Sequence, residues 1–402
     1  MIGINRMNVA PLILLLCLLL SSNTTHAQQE KKITIKEALS LAKKNYPAIK
    51  AAKLNVIKQN KLKSSAIDLG MTSITTGQDD VKDGNKGGVT TFGISQSDID
   101  IFGILSKNKF QNSEINVAKA EYKLTEANVK LYVRKAFNNL LEIEDLLSVY
   151  MKIDSVYKNF VSSAELRYST GETSKLALLS AMTKYDKLKL QVKKLIGEKA
   201  IAKSNLNQYL LIKEPFVIVD SIEIFDISIN SFENNSDMLL MQEKLNRSEK
   251  EWKMQRAAIL PKLSVLYQNR KVSGVSGYYS YEAGISIPLF NGTRSKTRAA
   301  KTQMLIEKEN MNTKMISLKT ELSQKLIALD YLQELRDYYI EHALPLSLEQ
   351  INASKLAYRL GDINYLQFIE SIESSLKINL DYINTNSQYR NAKAELMKLI
   401  GK

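Results

Sequence analysis

Side chains that usually carry catalysis or hold metals are scarce in this chain of 402 residues. Cysteine occurs once, as Cys17, and histidine occurs twice, as His26 and His342. A Cys/His nucleophile pair or a Cys/His metal cluster needs several such side chains in one place. The sequence therefore predicts neither type of site.

The remaining candidates for chemistry also match structural patterns better. Glycines at 84, 87 and 88 fall between two strand-like segments, whereas a phosphate-binding loop precedes a helix. Acid pairs such as Glu142 and Glu144 have the spacing of a helix surface. We therefore predict no catalytic, cofactor-binding or metal-binding residues, and a protein that is not an enzyme.

The N-terminus has the pattern of a secretory signal. Arg6 precedes an apolar stretch of 11 residues from 10 to 20, and Ala27 offers a small residue for cleavage. A bilayer core takes roughly 20 apolar residues to cross, so a retained membrane anchor is the less favoured alternative. Leucines before Cys17 argue against lipidation at that residue. We expect residues 1–27 to be removed and the protein to be exported.

The chain is basic, with a formal net charge of +14. Nucleic-acid binding would concentrate that charge in one cluster interleaved with aromatic residues. Here the lysines are scattered along helical segments, as on a solvated surface. We therefore predict no nucleic-acid partner.

Very long helices dominate the expected secondary structure. Residues 105–168 contain neither proline nor glycine, and a helix of that length would measure about 95 Å. Apolar residues step by four and three along it, as in a coiled-coil seam: Val129, Val133, Ala136, Leu140, Ile143, Leu147 and Tyr150. A second such helix is expected from 292 to 358, interrupted at Pro345.

Each long helix is expected to turn at a glycine and return. The turns fall at Gly171 and Gly361, and the returning helices at about 174–211 and 363–400. Residues 35–69 are expected to form a short helix, a bend at Pro47 and a longer helix. The chain is thus predicted to contain two long helical hairpins.

The sequence repeats itself with an offset of 190 residues. Matched segments are 45–49 with 235–239, 168–172 with 358–362, and 202–203 with 392–393. Each copy has the same order of helix, two strands, long helix and returning helix. We therefore divide the chain into a first repeat at 28–215 and a second at 216–402.

Strand-like segments with a period of two lie between the helices of each copy. Phe92 and Ile94 alternate with Gly93 and Ser95, and residues 263–267 and 279–287 alternate in the same way. Four strands per chain cannot close a barrel, and lipid does not tolerate open edges. Three chains would supply twelve strands. A soluble sheet that caps a helical bundle is the alternative.

These segments resemble the TolC-type outer-membrane efflux proteins, the exit ducts of tripartite pumps and type I secretion systems. The resemblance covers nearly the whole chain after the signal. It rests on the motifs at 35–39, 45–47, 168–172, 287–292 and 358–362. Residues 92–97 are also similar to a strand of the CzcC/CusC-like heavy-metal branch.

The resemblance implies a mainly α fold with a small β part. Long coiled-coil hairpins would form an α-barrel in the periplasm. Four strands per protomer would join a twelve-stranded transmembrane β-barrel of a homotrimer, surrounded by outer-membrane lipid. The implied function is passive conduction from a periplasmic adaptor (membrane fusion protein) and an inner-membrane pump of the RND or ABC type to the exterior. A periplasmic coiled-coil scaffold or adaptor that stays outside the membrane is the alternative, and the substrate is left open.

The resemblance also implies a gate and a docking surface at the hairpin tips. The family's acidic gate positions fall on Gln367 and Glu370, and Asp362 either adds to that ring or starts the next helix. Glu370 as an ordinary surface residue is the alternative. The resemblance also assigns adaptor docking to the tips, where packing of the hairpin ends is the alternative role. The residues concerned are Tyr168, Gly171, Glu172, Tyr358 and Gly361.

Overall fold

The computed structural model describes residues 30–79, 88–220, 235–288 and 292–401. The expected signal peptide at 1–27 lies outside these ranges. Most of the connection between the first two long strands also lies outside these ranges. The same holds for residues 289–291 of the motif at 287–292.

The first repeat begins with a short strand and two short helices and continues into a long hairpin. Its elements are β1 (Lys31–Ile33), α1 (Ile35–Asn45), α2 (Pro47–Lys61), a 3-10 turn (Leu62–Ala66), β2 (Met71–Asp79), β3 (Val89–Ile99), α3 (Ile101–Ser169) and α4 (Lys175–Leu210). Helix α3 has 69 residues, which corresponds to a length of about 100 Å. The predicted bend at Pro47 is confirmed, and Pro47 opens α2, where its missing N–H costs least.

The second repeat has the same order of elements. They are β4 (Phe216–Ile218), α5 (Ser236–Ala257), β5 (Lys262–Val272), β6 (Val275–Ser286), α6 (Thr293–Tyr338), a π turn (Tyr339–Ala343), α7 (Leu344–Leu360) and α8 (Tyr365–Leu399). The predicted interruption at Pro345 is confirmed as this π turn. Pro345 cannot donate to the carbonyl of Glu341, and a widened turn accommodates the missing bond.

Two equivalent asparagines fix the ends of the two repeats. The side-chain amide of Asn45 donates to the carbonyl of Leu210 at 2.8 Å. In the second copy, the amide of Asn235 donates to the carbonyl of Leu399 at 2.7 Å. Each asparagine thus joins the first helices of its repeat to the end of the returning helix. The same bond at matched positions supports a duplicated structure.

The core runs along the helical bundle as a series of apolar clusters. Val129, Val133 and Leu140 of the predicted seam are buried against Leu206 of α4 and residues of α1. A second cluster lies near the hairpin tips, and a third joins α6 to α8. Burial every three or four residues is what keeps such long helices together in water. Among the described residues, no helix is both long and apolar enough to cross a membrane.

Four strands form one antiparallel sheet in the order β2-β3-β5-β6. The pairing of β3 with β5 joins the two repeats, with Ile94 opposite Tyr267 and Gly93 opposite Gln268. Strands β2 and β6 are therefore the two edges of the sheet within one protomer. A separate parallel pair, β1 with β4, joins the starts of the two repeats.

The two faces of the sheet differ in polarity, as the alternation predicted. One face carries most of the exposed apolar and aromatic side chains of the sheet, with Gln96 and Asn269 among them: Ile74, Phe92, Ile94, Val265, Tyr279, Tyr281 and Ile285. The opposite face carries mainly small and polar residues, such as Thr75, Gly93, Gln268, Ser280 and Glu282, with Leu266 and Tyr278 as exceptions. Exposure of this many apolar side chains to water would be energetically unfavourable. The pattern matches membrane strands that have one face toward lipid.

Candidate gate and docking surface at the hairpin tips

The first hairpin turns at Gly171, which adopts a left-handed φ of 77°. Its N–H donates to the carbonyl of Tyr168 at 3.1 Å, and the N–H of Glu172 donates to the carbonyl of Arg167 at 2.8 Å. These bonds satisfy the last carbonyls of α3, in the manner of a helix C-terminus closed by glycine.

The second hairpin turns at Gly361 with the same geometry. Gly361 has a φ of 82°, its N–H donates to the carbonyl of Tyr358 at 3.3 Å, and the N–H of Asp362 donates to Ala357 at 2.9 Å. A Cβ at either tip glycine would meet no described heavy atom within 4 Å. The backbone angle, rather than crowding, therefore favours glycine at Gly171 and Gly361.

The helices that follow the turns begin at equivalent caps, Ser174 and Asn364. The hydroxyl of Ser174 accepts from the N–H of Ala177 at 3.3 Å. Asn364 accepts from the N–H of Gln367 at 3.0 Å, and the Gln367 side chain accepts from the N–H of Asn364 at 2.9 Å. The alternative in which Asp362 starts the last helix is wrong, because the cap lies two residues later. Gln367 is also part of a capping box, a role that sequence inspection missed.

Glu370 lies in the second turn of α8, nine residues after Gly361, and is exposed. Its neighbours Phe368 and Ile369 are buried. Glu370 makes no ion pair with another residue in the described part of the chain. Its carboxylate therefore points away from the packed side of α8 and is available to the surroundings of the protomer.

An aromatic cluster joins the two hairpins just behind the tips. The ring of Phe160 on α3 stacks on Tyr365 at 4.7 Å between centroids, and Tyr358 stacks on Phe368 at 4.7 Å. The Arg167 guanidinium lies 4.8 Å from the centroid of Tyr358. Burial raises the pKa of the Tyr358 phenol above its usual value. Tyr358 therefore packs the hairpin end, and only part of it reaches solvent.

An ion pair outside the predicted set also connects the hairpins. Lys184 on α4 contacts Glu373 on α8, one turn beyond Glu370. Burial, with Glu373 and Tyr365 nearby, raises the pKa of Tyr157 to about 12. Nothing in the spacing of Glu373 distinguished it from other helix-surface acids, so only the packing of α4 against α8 reveals the contact.

A groove of about 480 Å³ lies between α3 and α7 beside the aromatic cluster. Phe160, Tyr358 and Phe368 contribute aromatic lining, and Arg167, Lys355 and Arg359 contribute positive charge. Tyr168, at the end of α3, is 42% exposed. The tip thus presents a cationic and aromatic surface in which Gly171, Glu172 and Gly361 form the outermost turns.

Leucines at the tips are also exposed in the single protomer. Leu166, Leu176, Leu360 and Leu366 are between 57% and 77% exposed. Leu176 and Leu366 are matched by the repeat offset. Large exposed apolar side chains near both turns are typical of surfaces that contact another chain.

Residues 230–402 match the family model described as "Outer membrane efflux protein". The second repeat is thus similar to the outer membrane efflux protein family. The match falls on the second repeat and includes the Gly361 turn, Glu370 and the strands β5 and β6. None of the curated proteins matches the sequence. Members of this family are passive channels, so no catalytic role is expected of the chain.

Solved structures of efflux channels share the fold over both repeats. The Campylobacter jejuni CmeC outer membrane channel is 16% identical, with a TM-score of 0.78 over 91% of this chain and 85% of that one. CusC is 16% identical, with a TM-score of 0.78 over 91% and 92%. The Neisseria gonorrhoeae MtrE outer membrane channel is 14% identical, with a TM-score of 0.77 over 91% and 88%. At these identities the likeness shows the fold alone.

The family match of the second repeat and the fold shared with solved channels both agree with the predicted class of outer-membrane efflux channel. Members form trimers that work with adaptor proteins and inner-membrane pumps, and they lie in the outer membrane. The structure gives no sign of the periplasmic scaffold that was the alternative. CmeC and CusC match equally well, so a place in the heavy-metal branch stays a prediction.

Proposed function

We propose that this efflux protein is a passive exit duct, which passes substrate from a periplasmic adaptor and an inner-membrane pump across the outer membrane. The observation that carries the proposal is the apolar face of the four-stranded sheet, which continues directly into helices of about 100 Å. A two-faced sheet is suited to lipid on one side and water on the other. Helices of this length are suited to bridging the periplasm.

The duct would be a homotrimer. One protomer leaves both sheet edges, β2 and β6, without a neighbouring strand in the described chain. Open edges are not stable in lipid, so β6 of one protomer would pair with β2 of the next. Three copies give twelve strands and a closed barrel. The exposed leucines at the tips would then lie between neighbouring hairpins.

The two repeats, 28–215 and 216–402, would each contribute one hairpin to the helical part of the duct. The matched caps and the matched asparagine bonds support this division. Removal of residues 1–27 as a signal peptide would precede assembly.

The gate would be formed by the second hairpin. Glu370 from three protomers would form one ring of carboxylates, which favours cations. Gln367 lies three residues earlier on the same side of α8. Its amide is neutral and caps the helix, so it adds no charge to the ring. Asp362, at the turn, would contribute further negative potential. The contacts of Lys184 with Glu373 and of Arg167 with Tyr358 would hold the hairpins together in the closed state.

The adaptor would dock at the tips, on Tyr168, Gly171, Glu172, Tyr358 and Gly361. The groove with Arg167, Lys355 and Arg359 supports a partner that presents acidic and apolar side chains. The pump, of the RND or ABC type, would supply energy and select the substrate. No cofactor takes part in this proposal.

Two adjacent substitutions on β6 test whether the sheet enters lipid. Tyr281 lies on the apolar face and is 79% exposed, whereas Ser280 lies on the opposite face. Tyr281→Lys is expected to cost about 2–4 kcal/mol if the position is near the bilayer midplane, and to reduce the outer-membrane yield strongly. Ser280→Lys is the matched control and should preserve the yield. Equal yields for both variants, or recovery of the native protein from soluble periplasm without detergent, would overturn the proposal.

A further inference from the structure

A strongly basic surface lies where the second repeat passes from helix to sheet. Helix α5 ends at Ala257, β5 begins at Lys262, and α6 begins at Thr293 after β6. The last turns of α5 and the first turns of α6 therefore lie beside the same end of the sheet. Residues 251–262 and 292–303 contain seven Lys or Arg residues and one acid, which gives a net charge of +6.

The matching region of the first repeat is much closer to neutral. Aligned on the starts of the strands and long helices, residues 60–71 and 100–111 contain four Lys residues and two acids, which gives a net charge of +2. Lys107 is held there by Asp100 at 3.1 Å and by Asp68 at 3.5 Å. The basic surface is therefore a property of one repeat and does not follow from the fold that both repeats share.

Two cations of the basic surface converge on one indole ring. The Arg256 guanidinium lies 5.5 Å from the ring of Trp252, and the Lys301 ammonium lies 6.0 Å from it. The hydroxyl of Thr297 donates to the carbonyl of Gln255 at 3.0 Å, which fixes α6 against α5 at this level. The ring thus holds charges from two helices near one another.

These cations have no acidic partner in the described chain. Arg256 and Lys301 are exposed, and neither makes an ion pair with a described residue. Arg294 and Arg298 share a helical face with Lys301, because they precede it by seven and three residues. Of the seven cations of the basic surface, only Lys262 makes an ion pair with a described acid, Asp98, at 3.8 Å. The other like charges, placed together, favour an anion between them.

We propose that Trp252, Arg256 and Lys301 bind the phosphate of an anionic phospholipid in the periplasmic leaflet of the outer membrane. The proposal rests on the proposed function, since it requires the sheet to span that membrane. Tryptophan is enriched at membrane interfaces, where its ring is partly apolar and its N–H reaches water. Basic residues next to a membrane-spanning segment attract anionic headgroups.

Position and chemistry both favour a lipid over other anions. The surface adjoins the sheet, far from the hairpin tips where soluble partners would dock. A phosphodiester headgroup offers one negative charge at a fixed depth, within reach of both cations. A peptidoglycan carboxylate has a similar charge but lies in the periplasm away from the bilayer, and the test below separates the two.

Trp252 is the only tryptophan in the chain, so its fluorescence reports on this site alone. We would reconstitute the full-length protein into phosphatidylcholine nanodiscs that contain a small fraction of brominated phosphatidylglycerol or brominated phosphatidylcholine. Brominated phosphatidylglycerol is expected to quench Trp252 more strongly at equal fraction. Arg256→Gln and Lys301→Gln should each reduce that preference roughly 5-fold, since each cation contributes about 1 kcal/mol near an anionic surface.

Lys193→Gln with Lys194→Gln, on α4 of the first hairpin, is the matched control and should leave the preference unchanged. Equal quenching by both lipids would overturn this inference while leaving membrane insertion intact. Absence of quenching by either lipid, in a sample that conducts ions across a planar bilayer, would also overturn it and would place Trp252 away from lipid. Absence of both quenching and conductance would contradict the proposed function instead. Soluble peptidoglycan fragments and unbrominated phosphatidylglycerol can each be added as competitors. If the fragments reduce the quenching of Trp252 more than the lipid does, the site would be assigned to the cell wall and the lipid proposal would be overturned.

Discussion

At the scale of single residues, the proposed gate rests on one carboxylate per protomer. Glu370 is exposed, whereas Gln367 is engaged in the cap of α8. Charge selection at the tip would therefore depend on Glu370 more than on any neighbour. Two substitutions that preserve shape can test this without disturbing the helix.

Glu370→Gln is expected to lower the cation-to-anion permeability ratio, because a ring of three charges is removed. Gln367→Glu should raise that ratio, and the capping box accepts either side chain at this position. Reversal potentials in asymmetric salt across a planar bilayer measure both effects. Glu165→Gln, an exposed acid on α3, is the control. Unchanged selectivity in Glu370→Gln would remove Glu370 from the gate.

Two glycine-to-alanine substitutions give a second prediction at the residue scale, because they should change the stability of the protein in opposite directions. Gly361→Ala should destabilise the protein by about 1–2 kcal/mol, because its left-handed φ of 82° disfavours a Cβ. Gly197→Ala, inside α4 and also free of contacts at the Cβ position, should stabilise it by about 0.5–1 kcal/mol. Thermal unfolding of the detergent-solubilised protein compares the two. A stabilised Gly361→Ala would contradict the assigned turn.

Sequence patterns predicted both turns but could not identify all residues around them. A glycine between two helical segments indicates a turn through its backbone angles alone. The caps Ser174 and Asn364 and the ion pair of Lys184 with Glu373 depend on which helices pack together. That information is long-range, so spacing along the chain did not contain it.

At the scale of elements, an ion-pair cluster joins three long helices. Glu395 on α8 contacts both Lys135 on α3 and Lys325 on α6, and its side chain is 22% exposed. Burial alone would raise the pKa of Glu395, but the hydrogen bonds from the two lysines outweigh it and lower the pKa. A lowered pKa in the folded state stabilises the protein above the usual value of 4.5 and ceases to do so as pH falls through the folded pKa.

Glu395→Gln is therefore expected to destabilise the protein at pH 7, by about 1–3 kcal/mol, through loss of charge-assisted hydrogen bonds. Below the folded pKa the native carboxyl is protonated, so variant and native protein should converge. Thermal unfolding at neutral and acidic pH, with Glu165→Gln as the control, measures this. A difference that stays constant across that range would contradict the role assigned to the charge.

The elements themselves were predictable because their periodicity is strong. The seam of α3, the bends at Pro47 and Pro345, and the alternation of β3, β5 and β6 each follow from local patterns. The pairing of β3 with β5 was harder to predict from the sequence, because the two strands are about 170 residues apart. The 3-10 turn at Leu62–Ala66 also shortened the second helix, which was expected to reach residue 69.

At the scale of the whole molecule, the account combines a two-faced sheet, two long hairpins and a duplicated chain. The family match of the second repeat and the fold shared with solved channels support the proposed class of outer-membrane efflux channel. The protomer's open sheet edges and its exposed leucines lead to the proposed trimer. The basic surface near Trp252 adds a proposed contact with lipid, which differs between the repeats.

Single-channel conductance in a planar bilayer tests the central claim most directly. Purified full-length protein, identified as a trimer by its mass in detergent, should insert spontaneously and give discrete, cation-selective conductance steps without any added nucleotide or pump. Protein that remains monomeric, stays soluble without detergent and gives no steps at any concentration would contradict the account.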